Sequence, residues 1–266
     1  MTDLTRDLAD ILKGVRRPGD FFATGRCEIF APRLEVDGVG RIALPLLPAQ
    51  AEALLAVAEQ APYGRGSDTL IDTEVRRTWQ IGADRVHLGG RHWDQHLADI
   101  VARCAAGLGI SEPVSAGFYK LLVYDTGSFF VSHRDTEKAP GMFATLVVVL
   151  PSLYTGGELC IRHSERAVCL DLASPEPSEV AYAAFYADCR HEVRPITAGC
   201  RLVLIYNLIR HGEGRPPGPP AYDAAIERVS DLLGRWAAEP AAAERSSPGK
   251  LIHPLEHAYT PAEIGF

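Results

Sequence analysis

Seven short apolar runs lie between Phe118 and Ile209: KLLVY, FATLVVVL, ELCIR, AVCLDL, VAYAAFY, EVRPI and CRLVLIYNL. Gly, Pro, Ser or Asp separates them, so none can extend into a long helix. Several short strands at this spacing build a sandwich or barrel. Upstream, apolar residues recur at helical intervals. Leu4, Leu8, Ile11 and Leu12 mark one helix. Pro48 to about Gln60 forms a second, with Ala51, Leu54, Leu55 and Val57 on its apolar face. A third runs from His92 to Leu108, with Trp93, Leu97, Ile100, Val101 and Cys104 inward and Gly109 as its stop. The expected class is α+β with a mainly β core, a jelly roll flanked by N-terminal helices.

Between these helices, Phe21–Leu34 and Gly40–Ala43 read as short strands, and Val75–Leu88 as one strand containing Trp79. Ala61–Thr73 (APYGRGSDTLIDT) has turn residues and little periodicity. It is expected to be a loop on the substrate rim, with Glu74–Trp79 beside it. After the β region, 211–221 (HGEGRPPGPPA) is a semi-rigid linker. The tail 222–266 carries an amphipathic helix over Tyr222–Trp236. A T-P-A-E capping box at Thr260–Glu263 starts a helix where the sequence stops. The expected organisation is one domain over 1–210, split into 1–117 and a core of 118–210, then linker and tail. The tail's end suggests a truncated or short form with a further C-terminal domain absent.

Composition narrows the class. With 34 acidic and 27 basic residues the net charge is −7, which disfavours a nucleic-acid surface. No apolar run approaches membrane-spanning length and no secretory signal opens the chain, so a cytoplasmic location is expected. The cysteines (27, 104, 160, 169, 189, 200) have no C-x-x-C spacing and sit largely in apolar runs. They are expected to be buried, reduced thiols.

Against this apolar background the polar residues of the core stand out. His133 and Asp135 form an H-x-D pair after the strand-like FFVSH, and in extended chain such residues share a face. His191 follows in another strand-like segment. Two imidazoles and a carboxylate make a facial triad, which leaves open positions on Fe(II). A second H-x-D, His92 and Asp94, opens a helical pattern, where residues two apart diverge by about 200° and read as a polar first turn. Arg201 sits in the apolar run GCRLVLIYNL. Burying a guanidinium costs several kcal/mol without a partner, so Arg201 is either an outward-facing edge position or structural ion pair, or the anchor of a dicarboxylate co-substrate held in a bidentate pair. Asn207 shares its strand face.

These residues carry a family resemblance. H-x-D at His133 and Asp135, the distal His191, and Arg201 ten residues on resemble the core of the Fe(II)/2-oxoglutarate-dependent dioxygenases, in particular the prolyl 4-hydroxylase-like group. YDTGSFFVSH, the GGEL at 156–159 and FYADCRHEV agree with it. The resemblance implies a double-stranded β-helix. It also implies iron on His133, Asp135 and His191, and 2-oxoglutarate held by Arg201, Tyr124 and Thr145. O2 would be the oxidant, ascorbate the reductant, and succinate and CO2 the co-products. Asp135 points to hydroxylation, because halogenases of the family lack this carboxylate. The substrate would be a prolyl residue of a peptide or protein, or a small molecule, with Asn207 and Trp79 as candidate contacts. The alternative is a cupin-like barrel that binds metal without turnover, as a sensor or interaction module.

Overall fold

The computed structural model describes residues 4–15, 19–65, 68–70, 76–135, 138–163, 166–211 and 223–238. Helix α1 (Leu4–Lys13) is followed by strands β1 (Phe22–Glu28), β2 (Arg33–Val36) and β3 (Gly40–Ile42), then helix α2 (Pro48–Val57). Strands β4 (Glu59–Gln60), β5 (Tyr63–Arg65), β6 (Asp68–Leu70), β7 (Arg76–Arg77), β8 (Trp79–Gly82) and β9 (Val86–Gly89) lead to helix α3 (Trp93–Leu108). The β core follows as β10 (Val114–Tyr124), β11 (Phe129–His133), β12 (Met142–Leu150), β13 (Tyr154–Gly156) and β14 (Leu159–His163). It continues through β15 (Arg166–Leu170), β16 (Glu179–Tyr186), β17 (Arg190–Val193), β18 (Ile196–Gly199) and β19 (Arg201–Arg210), and helix α4 (Asp223–Ala238) comes last.

Residues 19–213 form one unit, and 1–18 with 214–266 form another. In the terminal unit α1 packs on α4 through Leu4, Ile11 and Leu232, with Leu8, Val229 and Trp236 around them. The T-P-A-E box and all of the linker but His211 lie outside the described residues.

In the larger unit a seven-stranded antiparallel sheet, ordered β1-β16-β12-β19-β10-β8-β4, faces a five-stranded one ordered β15-β14-β17-β11-β7. This is the expected jelly roll, and alternation along each central strand divides its core. Leu121 and Val123, Leu146 and Val148, and Leu202 and Leu204 join the cluster containing Leu54, Ile100 and Leu108 of α2 and α3. Their neighbours Leu122, Tyr124, Val147 and Val203 face the smaller sheet with Phe130, Leu159 and Ile161. Both faces are covered, so these strands read as continuous apolar runs rather than alternating ones. Each fully buried Leu, Ile or Val contributes about 1.5–3 kcal/mol.

Four expectations change on contact with the tertiary structure. Helix α2 stops at Val57, because Ala58 is extended (φ −76°, ψ 154°) and Glu59–Gln60 pair with β8. The single strand expected over 75–88 is instead β7, β8, a 3-10 turn at Ala83–Arg85 and β9. This segment crosses between sheets: β7 pairs with β11 and β8 with β10. Within the expected loop 61–73, β5 and β6 form a short ladder, while 66–67 and 71–73 lie outside the described residues. Finally, Cys160 and Cys169 are joined by a disulfide rather than being free thiols. Nine residues apart they match no motif, yet the β14–β15 hairpin sets them directly opposite one another. The other four are free, with Cys104 and Cys189 buried and Cys27 and Cys200 half-buried. No helix among the described residues is long and apolar enough to cross a membrane.

Candidate metal centre

His133 ends β11 and His191 lies in β17, and the antiparallel register makes the two direct partners. Asp135, two residues past His133, is anchored through its backbone N–H to the Ala187 carbonyl (3.1 Å). Its carboxylate lies 3.8 Å (Oδ1) from His133 Nε2 and 3.7 Å (Oδ2) from His191 Nε2. One donor atom from each residue lies within 4.8 Å of the others, and no other group of three or more His, Cys, Asp or Glu does so among the described residues.

The imidazoles are set for this role by their other nitrogens. His133 Nδ1 lies 2.9 Å from the Val131 carbonyl and His191 Nδ1 3.2 Å from the Cys189 carbonyl. Each Nδ1–H donates to its carbonyl, which leaves the Nε2 lone pair aimed inward. Phe130 stacks on His133 (3.5 Å between centroids) and Phe185 lies 4.4 Å from His191. Burial, and then the neighbouring His191, push the His133 pKa down to about 3, so this ligand is neutral at physiological pH. Burial works to raise the Asp135 pKa. His191, His133 and a hydrogen bond from Thr145 outweigh it, so the carboxylate stays ionised below its usual range.

That Thr145 hydrogen bond runs from Oγ1 to Asp135 Oδ2 at 2.6 Å. Thr145, named above for the co-substrate, thus has a direct partner in the triad, and it also lines the same cavity. Thr145→Val should weaken metal binding by about 10–100-fold, the usual cost of losing an outer partner of a ligand. Titration of the apo variant with Fe(II) or Mn(II) checks this, and unchanged affinity would make the hydrogen bond incidental.

Arg201 begins β19, opposite Tyr124 in the β10–β19 register. It is 1% exposed, although it is a full cation. Its Nη1 donates to the Gly157 carbonyl at 2.9 Å, while Nε is buried and has no hydrogen-bond partner among the described residues. Tyr124 and Tyr154 place their rings 5.5 and 5.7 Å from the guanidinium carbon. Gly156 and Gly157 both have positive φ (75° and 72°). The GGEL motif is therefore a left-handed bend that turns a carbonyl towards Arg201.

Arg201, Tyr124, Thr145, Asn207 and the triad line one cavity of about 460 Å³. Alternation along β19 sends Arg201, Val203, Ile205 and Asn207 into it. Trp79 is the exception among the expected contacts. It packs against the helix-side core and does not line the cavity. Its strand neighbour Gln80 lines the cavity instead, because side chains one residue apart point to opposite faces. Of the expected substrate rim, 66–67 and 71–75 lie outside the described residues, while Pro62 and Arg76 line the cavity. The second H-x-D stays apart from the triad: His92 is the N-cap of α3, and its ring meets Phe30 and His96.

Lys120 lines the cavity without being among the sequence candidates, whereas Arg76 lies within the expected rim Glu74–Trp79. The available signal was a lysine directly before LLVY, four residues that are all buried. Burial first, and then Arg76, push the Lys120 pKa down to about 7 from 10.5. Between those values the unfolded chain holds a proton that the folded chain lacks, so stability rises with pH across the window. Lys120→Met should therefore raise the melting temperature of the ligand-free protein most below pH 7, with the gain vanishing above about pH 10.5. Melting curves across pH test this, and a uniform loss of stability would refute it.

The donor set suits a divalent iron: two neutral nitrogens and one carboxylate, with positions left open. A buried guanidinium with an unsatisfied N–H suits the distal carboxylate of a diacid bound to that iron. Residues 119–208 match the family model of the 2OG-Fe(II) oxygenase superfamily. No curated protein sequence matches the chain. Among solved structures, a 2OG-Fe(II) oxygenase family oxidoreductase from Burkholderia pseudomallei is 18% identical, covering 80% of this chain and 93% of its own, at a TM-score of 0.40. A Pseudomonas putida prolyl-4-hydroxylase is 17% identical over 79% and 100%, also at 0.40. A Trichoplax adhaerens prolyl hydroxylase, in complex with a hypoxia inducible factor peptide fragment, is 15% identical over 77% and 89%, at 0.42. The stretch that matches the 2OG-Fe(II) oxygenase superfamily model holds His133, Asp135, His191 and Arg201.

Proposed function

We propose that the protein is a 2-oxoglutarate-dependent dioxygenase that hydroxylates an unactivated C–H bond, and that its substrate is a prolyl residue of a peptide or protein. The observation that carries the reaction class is the triad sharing a cavity with a buried, half-satisfied Arg201. When bound, Fe(II) with 2-oxoglutarate and O2 would supply the oxidising power, releasing succinate and CO2.

The chain's own residues supply position and environment. His133, Asp135 and His191 would hold the metal on one side only. Arg201 would fix the distal carboxylate of 2-oxoglutarate, with Tyr124 packed beside it. Thr145 keeps Asp135 oriented and ionised. Leu122, Phe130, Val147, Leu159, Phe185 and Val203 wall the cavity and limit water near the reacting bond. The prolyl reading is supported by YDTGSFFVSH, GGEL and FYADCRHEV, the motifs shared with the prolyl 4-hydroxylase-like group.

The test incubates the protein with Fe(II), 2-oxoglutarate and ascorbate against proline-containing peptides and small metabolites. Succinate and one added oxygen on a prolyl residue are the expected products. Turnover of a metabolite but of no peptide would overturn the prolyl reading. Absence of succinate with every candidate would overturn the hydroxylase.

A further inference from the structure

The cavity holds more positive charge than its metal and co-substrate can use. Its described lining includes five cations, Arg76, Lys120, Arg134, Lys138 and Arg201, and one acid, Asp135. Adding Fe(II) and doubly charged 2-oxoglutarate leaves that sum unchanged, so the described lining keeps an excess of four charges with Lys120 protonated and three without.

The surplus has a location. The cavity-facing row of β10 runs Tyr124, Leu122, Lys120, opposite Arg201, Val203 and Ile205 of β19. Four residues of strand put Lys120 about 13 Å along the sheet from the Tyr124–Arg201 pair. 2-Oxoglutarate extends only about 5 Å between its carboxyl carbons, with C–C bonds near 1.5 Å.

Neither Lys120 nor its neighbour Arg76 makes a direct ion pair with a carboxylate among the described residues, although Asp135 attracts both across the cavity and Arg76 also hydrogen-bonds Tyr124. Lys120 Nζ donates to Gln80 Oε1 (3.0 Å) and lies 4.7 Å from the Tyr119 ring centroid. Glu59, the nearby acid, accepts from Gln80 Nε2 instead (2.8 Å). Arg76 is 5% exposed, donates from Nη1 to the Pro62 carbonyl (2.7 Å) and lies over Phe130 (4.2 Å). Its Nε is buried with no hydrogen-bond partner among the described residues. A guanidinium and an ammonium held side by side in a cavity, short of acceptors, form an anion site.

We propose that Lys120 and Arg76 form a second anion-binding site, and that the primary substrate carries a carboxylate or phosphate that docks there. The target C–H bond would then be held over the triad by the substrate's own anion at Lys120 and Arg76. This rests on the dioxygenase reading and adds the charge class of the substrate, independently of whether the target is prolyl.

Calorimetry on the Mn(II)- and 2-oxoglutarate-saturated protein, at constant ionic strength, tests it. The probes are N-acetylglutamate and inorganic phosphate, with N-acetylglutamine and chloride as controls. At least one acidic probe should bind at a single site and the controls should not; which one binds separates a carboxylate from a phosphate substrate. In Lys120→Gln/Arg76→Gln probe affinity should fall at least tenfold while 2-oxoglutarate affinity changes less than threefold. Lys120→Arg and Arg76→Lys keep the charge, and should retain the probe if the double variant is poorly folded. Binding of neither probe, or binding that survives the double variant, would overturn the site. So would equal losses of probe and 2-oxoglutarate, which would assign these cations to the co-substrate. If the wild type binds no 2-oxoglutarate, the dioxygenase reading fails instead, and probe titration of the protein alone still decides the anion site.

Discussion

His133→Ala should abolish the visible absorbance that Fe(II) and 2-oxoglutarate develop together without oxygen, whereas His92→Ala should leave it intact. Both histidines belong to an H-x-D pattern, but only His133 has His191 opposite it and Asp135 at 3.8 Å. Removing one of three ligands should exceed the roughly 10–100-fold loss that follows removal of an outer partner. Fold stability should fall far less, because His133 ends its strand and contributes a ring stack on Phe130 rather than core volume. A normal spectrum in His133→Ala, or a lost one in His92→Ala, would place the metal elsewhere.

The second large effect is expected at Arg201. Arg201→Met should weaken 2-oxoglutarate binding by roughly 30- to 4,000-fold, since truncating one side of a buried charge pair costs about 2–5 kcal/mol and each 1.4 kcal/mol is tenfold. Metal affinity should be unchanged. The ligand-free protein should melt at the same or a higher temperature. Without the diacid this guanidinium is a buried cation with one carbonyl acceptor and a bare Nε, and replacing such a charge with an apolar group of similar length is often neutral or stabilising. Opposite shifts in stability and affinity would mark a residue kept for its ligand. Loss of stability with unchanged 2-oxoglutarate affinity would make Arg201 a structural residue.

Much of the site was legible because its chemistry conflicts with its surroundings. Arg201 is conspicuous in an apolar strand, and strand periodicity alone puts Asn207 on its face. The same periodicity misled at Trp79. An expected strand over 75–88 has two faces, and which one meets the cavity depends on the crossing from β7 to β8. Lys120 escaped notice because a charged residue at the start of an apolar run ordinarily faces solvent, and the pairing of β10 with β19 turns it inward. Cys160 and Cys169 show the same dependence, since hairpin register rather than spacing sets them opposite.

Taken alone, the order of residues determined the class of fold and the ligand types. Short apolar runs between turn residues can bury themselves only as packed sheets, and two imidazoles, a carboxylate and a stranded guanidinium have few uses in such a core. Tertiary structure decided which of two identical H-x-D patterns faces a third ligand. It also decided that Arg201's carbonyl partner is Gly157, and that two further cations share the cavity. Those facts depend on which strands lie side by side and in what register. A shift of one residue would carry every side chain of a strand to the opposite face.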